Sequence, residues 1–228
     1  MDSKSSSAPA SVSLAIRLQS APIDHNQFIK DPLAHFRAIP WCATLLNDGA
    51  VLNYRVCDRR PLPSTESSFV RRVMNSGTTV RACITFCRMV NPPPSGSGKA
   101  SIPAASLSRS GVLLSGGGKA NGEDLRNPFL LLSALLDLGE DLCGYTNTLH
   151  GGLFTVLMDE VMGTAANFQA DHGAYTAQLT TKYRRTIKTP QVVLVRGRVV
   201  RKEGRKIFVK GTIEDKDGES FFCFSSPR

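Results

Sequence analysis

The stretch Asn147–Phe168, NTLHGGLFTVLMDEVMGTAANF, constrains this chain most. After a turn and two glycines it continues in helical spacing and is apolar on nearly every side. A helix of that kind is not stable on a surface and has to be enclosed by other elements. What surrounds it in sequence is strand material. Thr78–Val90 and Pro128–Leu138 precede it, and Tyr175–Ile187, Val192–Arg201, Lys206–Glu214 and Glu219–Ser225 follow; all are rich in β-branched, aromatic or aliphatic residues. The later strands are joined mostly by tight turns, including Lys202-Glu203-Gly204 and Asp215-Lys216-Asp217-Gly218, so they pair antiparallel. The expected fold is α+β: an antiparallel sheet of about five to six strands wrapped around one long central helix.

Two strands carry more detail. Ile207, Val209, Gly211 and Ile213 alternate onto one face of their strand. The unbroken apolar run at 128–138 predicts a strand covered on both sides.

Upstream, Ile29–Leu46 reads as a short helix interrupted or ended at Pro40 and Trp41, Val51–Pro63 as irregular, and Thr65–Met74 as a second short helix. Residues 1–64 are therefore expected to form an N-terminal tail and short helical extension, partly disordered. Residues 65–228 form the domain proper. Residues 91–122 are dominated by Gly, Pro and Ser and read as a disordered insertion. Their GGGK lacks the spacing and the strand–helix context of a phosphate loop.

Composition narrows the function classes. A chain of 228 residues with 41% hydrophobic and 21% charged residues suits one globular domain, and no run approaches membrane-spanning length. The six cysteines are scattered, with no pairing of motifs that completes a metal site, so they read as free thiols in a reducing compartment. No metal and no cofactor is expected. The N-terminus has only Lys4 and Arg17 against Asp2, a poor mitochondrial presequence. The expected location is cytoplasmic, with the mitochondrion as alternative. The net charge of +9 concentrates at Lys182–Lys210, where eleven Lys or Arg face one acid, Glu203. That strip lacks the interleaved aromatic platforms of a nucleic-acid binder, so no nucleic acid is expected.

The chemistry lies on the long helix. Advancing about 100° per residue puts Asp159 on one side with Gly152, Thr155, Gly163 and Ala166, a stripe of small residues. Glu160 falls elsewhere, beside Leu153, Leu157 and Thr164, and reads as structural. Backbone N–H groups of Gly151 and Gly152 at the positive end of the helix dipole suit an oxygen that gains negative charge. Asp159 supplies a carboxylate two turns on. Together these parts suit acyl hydrolysis. The same pattern also suits a buried helix whose Gly-Gly pair only permits close packing.

The run His150-Gly151-Gly152, six residues, Asp159-Glu160 resembles the HGG…D signature of hotdog-fold acyl-CoA thioesterases, in the branch of the thioesterase superfamily member 4 and phenylacetate-pathway proteins. Thr176-Ala177-Gln178-Leu179-Thr180-Thr181-Lys182-Tyr183 resembles that family's strand after the helix. Thr186 stands where relatives commonly have Pro, and Asn147 lies three residues before the His, farther than the Asn or Gly of many relatives.

The resemblance implies a thioesterase that hydrolyses an acyl-CoA, or a carrier-bound acyl thioester, to a free acid and a thiol. Asp159 would be general base or nucleophile, and the Gly151 N–H would polarise the thioester carbonyl. His150 would shape the helix start, and Thr176 would orient water or the carboxylate. Gly152 and Asn147 would line the substrate site, and Lys182, Arg184, Arg185 and Lys188 would meet the phosphates of coenzyme A. It further implies a homodimer or dimer of dimers with active sites between subunits. The alternative is a non-catalytic hotdog protein that binds acyl thioesters or a protein partner.

Overall fold

The computed structural model describes residues 24–89, 130–168, 170, 173–218 and 220–225. The expected insertion at 91–122 and tail at 1–13 lie outside these. Seven strands form one antiparallel sheet: β1 (Val51–Val56), β2 (Val80–Met89), β3 (Leu130–Leu138), β6 (Leu179–Lys182), β7 (Gln191–Glu203), β8 (Lys206–Glu214) and β9 (Ser220–Ser225), in the order β1-β2-β3-β7-β8-β9-β6. Two short strands, β4 (Cys143–Tyr145) and β5 (Thr148–Leu149), make a separate hairpin just before helix α3 (Gly151–Asn167). Helices α1 (Pro32–Arg37) and α2 (Pro40–Leu46) lie near the N-terminus. The sheet around a long buried helix is the hotdog arrangement.

The apolar circumference of α3 explains the layering. Phe154, Leu157, Met158, Val161, Met162, Ala165 and Ala166 are all buried, against Leu132, Ala134, Leu136, Val193, Val195, Val199, Ile207, Val209 and Ile213 of the sheet. Burying each larger side chain contributes about 1.5–3 kcal/mol, so α3 is held by tertiary packing. The opposite face of the sheet meets α1 and α2 through Phe36, Cys42, Leu46, Ala82, Ile84, Phe86, Leu135 and Leu194. This is why β3 has no polar alternation: both of its faces are covered. Even its acid, Asp137, is buried, and it ties α1 to the sheet. Its Oδ2 lies 2.9 Å from His35 Nε2, and its Oδ1 accepts from Arg81 Nη2 at 2.5 Å.

The closest approach of α3 to the sheet depends on two glycines. Gly197 and Gly211 are direct cross-strand partners in β7 and β8. A Cβ on Gly211 would stand 2.6 Å from Met158 Cε and 2.7 Å from the Arg196 carbonyl oxygen. The thioether can move, but the paired strand's carbonyl cannot. Gly211→Val is therefore expected to destabilise the protein by about 3 kcal/mol. Thermal denaturation should show a midpoint lowered by about 10 °C.

Several elements differ from the sequence reading. Pro40 opens α2 instead of ending a helix, because a proline at the first helical position loses no internal hydrogen bond. The stretch read as irregular after Val51 contains β1. This edge strand adds to the expected five or six, and a register shift between Val51 and Asn53 obscures its alternation. The helix expected at Thr65–Met74 is one π-helical turn, Phe69–Val73. The long strand expected at Tyr175–Ile187 is ordered as strand only over Leu179–Lys182.

Candidate active site

The start of α3 is built by the segment before it. The β4–β5 hairpin turns at Asn147, whose φ of 52° lies in the left-handed region that Asn tolerates. Its carbonyl accepts from the Thr189 N–H at 3.3 Å. The His150 N–H then donates to the Leu142 carbonyl at 2.8 Å, and the Leu149 N–H to the Ile187 carbonyl at 2.9 Å. His150 is thereby placed as the N-cap. Its Nδ1 accepts from the Gly152 N–H at 3.0 Å. A neutral imidazole that accepts at Nδ1 carries its proton on Nε2, so the exposed side of the ring is a donor.

This cap decides between the two glycines. The Gly152 N–H, one of the two donors expected from sequence, is occupied by His150. The Gly151 N–H has no acceptor among the described residues. It stands at the first turn of a 17-residue helix, where backbone donors attract negative charge. Tyr183, assigned no role from sequence, seals the same turn. Its hydroxyl donates to the Gly151 carbonyl at 3.1 Å and lies 2.9 Å from Thr155 Oγ1, and its ring packs on Phe154 with centroids 5.1 Å apart. The clue available in sequence was the family-like strand motif that ends on this tyrosine.

Asp159 is half-buried, two turns along. The Thr176 hydroxyl donates to its Oδ1 at 2.6 Å, so the two residues singled out from sequence meet across 17 positions. On the same side of the helix, a Cβ added at Gly163 would meet nothing within 4 Å, which leaves room beside the carboxylate.

Glu160 differs from its neighbour. It lies on the surface, yet its carboxyl is partly desolvated. That desolvation, and then the Asp159 charge, raises its pKa above the ordinary carboxylate range against the pull of Arg59. An acid with a raised folded-state pKa binds its proton more tightly when folded. Its ionisation therefore costs stability as pH rises through that pKa. Glu160→Gln is expected to raise the melting temperature near neutral pH, with the gain vanishing at about pH 3, below the unfolded carboxylate range. Calorimetry at the two pH values checks this; a lower melting temperature at neutral pH would mean that Glu160 is a net stabilising group.

Arg185 is paired with Asp215, Nη2 to Oδ2 at 2.5 Å. Lys182 is exposed on β6, and Lys188 is exposed where it bridges Thr148 beside the hairpin. Arg184 is exposed as well. Among the described residues no group of three or more His, Cys, Asp or Glu is placed to hold a metal ion, and no helix is long and apolar enough to cross a membrane.

Comparison with known proteins places this site in context. Residues 146–221, which contain His150, Gly151, Asp159, Thr176 and Tyr183, match the family model of the thioesterase superfamily. An uncharacterized protein of Schizosaccharomyces pombe is 35% identical over 75 residues, 32% of this chain and 42% of its own length. The mouse acyl-coenzyme A thioesterase THEM4 is 33% identical over 89 residues, 39% of this chain and 38% of its own. The chain thus spans less than half the length of these two curated relatives. Among solved structures, zebra fish thioesterase superfamily member 2 is 18% identical, with a TM-score of 0.40 over 42% of this chain and 72% of that one.

Proposed function

We propose that the chain, whose residues 146–221 match the family model of the thioesterase superfamily, hydrolyses an acyl-coenzyme A, or an acyl thioester on a carrier, to a free acid and a thiol. The observation that carries this reading is the Asp159 carboxylate held at 2.6 Å by the Thr176 hydroxyl, on the helix whose first turn offers the Gly151 N–H.

The Gly151 N–H receives the thioester oxygen as it becomes an oxyanion, favoured by the helix dipole. The exposed Nε2–H of His150 lies at the same helix end and can donate toward the carbonyl or sulfur. Asp159 either takes a proton from the attacking water or attacks the carbonyl itself to give an anhydride. Heavy-oxygen water under single-turnover conditions separates the two, since label in the Asp159 carboxylate marks the anhydride. Thr176 fixes the carboxylate's rotamer and leaves its second oxygen free for the reaction.

Gly151 and Asp159 cannot serve one carbonyl within a single copy. Eight residues of helix separate them by about 12 Å, whereas each must reach to about 3 Å. We therefore assign the site to two copies, with Gly151 from one and Asp159 from the other. The exposed rings of Tyr145, Tyr175 and Tyr183 support a covered surface here. The position of β6 as the last strand of the sheet suits extension by a second copy. The exposed Lys182 and Lys188 suit the coenzyme A phosphates, with Arg184 near them in sequence; Arg185 would first have to leave Asp215.

The test is thiol release from a panel of acyl-CoAs of increasing chain length. Saturable release on at least one of them is the expected result. Binding of acyl-CoA with no release on any member would establish the non-catalytic alternative instead.

A further inference from the structure

Away from the helix start, β1 runs out of the sheet at Cys57, opposite Cys83 of β2. The register continues from Val56 and Ile84, and the Cys57 N–H donates to the Cys83 carbonyl at 3.3 Å. Their sulfurs are 3.0 Å apart. Directly opposed residues of antiparallel strands have Cα atoms about 4.5–5.5 Å apart, inside the span that a disulfide bridges.

The surroundings hold the pair rigidly. The buried Gln27 side chain accepts from the Cys83 N–H at 2.5 Å and donates to the Cys57 and Cys83 carbonyls at 2.7 and 2.9 Å. Beside the thiols lies Arg59, only 4% exposed. Its Nη2 donates to the Val70 and Met74 carbonyls at 2.5 and 2.6 Å. Its Nε has no hydrogen-bond partner, and among the described residues no carboxylate lies within ion-pair distance. A buried guanidinium with no carboxylate in contact is costly; Glu160 acts on it only from beyond ion-pair distance, and a thiolate is an anion that the pair beside it can generate. The hydrogen bond from Cys83 draws the Cys57 thiol below the ordinary cysteine range against the opposing effect of burial, with the Arg59 and Arg55 charges assisting; the same bond and burial push Cys83 up.

We propose that Cys57 and Cys83 form a thiol–disulfide site that hydrogen peroxide oxidises, with Cys57 as attacking thiolate and Cys83 as resolving thiol. The sulfur of Cys57, a half-buried residue, attacks one peroxide oxygen. The O–O bond breaks, hydroxide leaves, and Cys57 becomes a sulfenic acid. The Cys83 sulfur then attacks the Cys57 sulfur, and the S–O bond breaks as the S–S bond forms. Water leaves carrying the Cys83 proton, and the hydroxide takes up the proton first lost by Cys57. Two thiols lose two electrons and two protons, and one peroxide becomes two waters. Burial raises Cys42 to about 12 and Cys87 to about 11, so neither presents a competing thiolate.

Peptide mapping of the full chain tests this. The protein is exposed to limiting hydrogen peroxide, quenched with an alkylating reagent, digested and weighed. The expected result is a Cys57–Cys83 linked peptide pair, lighter by two hydrogens than the two free peptides and reversed by dithiothreitol, with Cys42 and Cys87 alkylated throughout. In Cys83→Ser, oxidation should stop at a Cys57 sulfenic acid that dimedone captures. Cys57 and Cys83 both alkylated after peroxide treatment, or Cys57 over-oxidised without joining Cys83, would overturn the proposal. The wild-type map decides even if the variant fails to fold.

Discussion

Asp159→Asn should lower the turnover of acyl-CoA hydrolysis by about 10²–10⁴-fold while leaving the fold intact. The substitution isolates the chemistry because it keeps the shape. Thr176 donates to Asp159 Oδ1 at 2.6 Å, and an asparagine carbonyl in the same rotamer still accepts that bond, more weakly than the charged carboxylate does. What disappears is the carboxylate's basicity and nucleophilicity. Thr176→Ala does the reverse, keeping the carboxylate but freeing its rotamer. A hydrogen bond to a charged group contributes about 1.5–3 kcal/mol, so its rate loss should be about tenfold to a hundredfold, smaller than that of Asp159→Asn. Circular dichroism and melting temperature on both variants separate lost chemistry from lost structure. Equal turnover in wild type and Asp159→Asn would remove Asp159 from the mechanism.

Gly151→Pro should cost about 10²–10³-fold in turnover, the usual effect of deleting one oxyanion donor. A backbone N–H is rarely accessible to mutation, but this one is. Gly151 is the first residue of α3, where proline is well tolerated and its missing N–H breaks no helical bond. The preceding residue must be extended, and His150 already is, at φ −61° and ψ 130°. The nearest atoms to a Cβ at Gly151 would be those of the Tyr183 ring and hydroxyl, at an ordinary 3.8 Å. A folded variant with full activity would show that the thioester oxygen goes elsewhere. Gly151→Ala keeps the N–H and is the matched control, expected to retain activity.

The parts of this molecule legible in its sequence are those set by local periodicity. The circumference of α3 required a wrapping sheet. The alternation Ile207, Val209, Gly211, Ile213 placed that face of β8 against the helix, and all four are buried. The even apolar run of β3 foretold two covered faces. At the site, helical angle separated Asp159 from Glu160, and the motif resemblance pointed to Thr176, which meets Asp159 in space.

The parts that escaped depend on contacts distant in sequence or on side-chain capture of backbone groups. That the His150 ring takes the Gly152 N–H, leaving Gly151 as the free donor, follows from a rotamer and not from residue order. Tyr183 sits 32 residues from the carbonyl it seals. Arg185, expected to meet a ligand phosphate, is drawn to Asp215 on the turn between β8 and β9. The N-terminal segment read as a tail and short extension includes β1, α1 and α2, and Gln27 reaches Cys83 across 56 positions. No composition rule anticipates a bridge of that length.

In the proposed enzyme each active site takes Gly151 from one copy and Asp159 from the other. Gly151→Pro and Asp159→Asn chains carrying different tags, co-expressed and purified through both tags, give mixed pairs. Each mixed pair holds one site with both defects and one with neither. The two variants alone should be nearly inactive, and the mixed pairs should recover about half of wild-type turnover per pair. Mixed pairs no more active than either variant alone would contradict a site shared between copies.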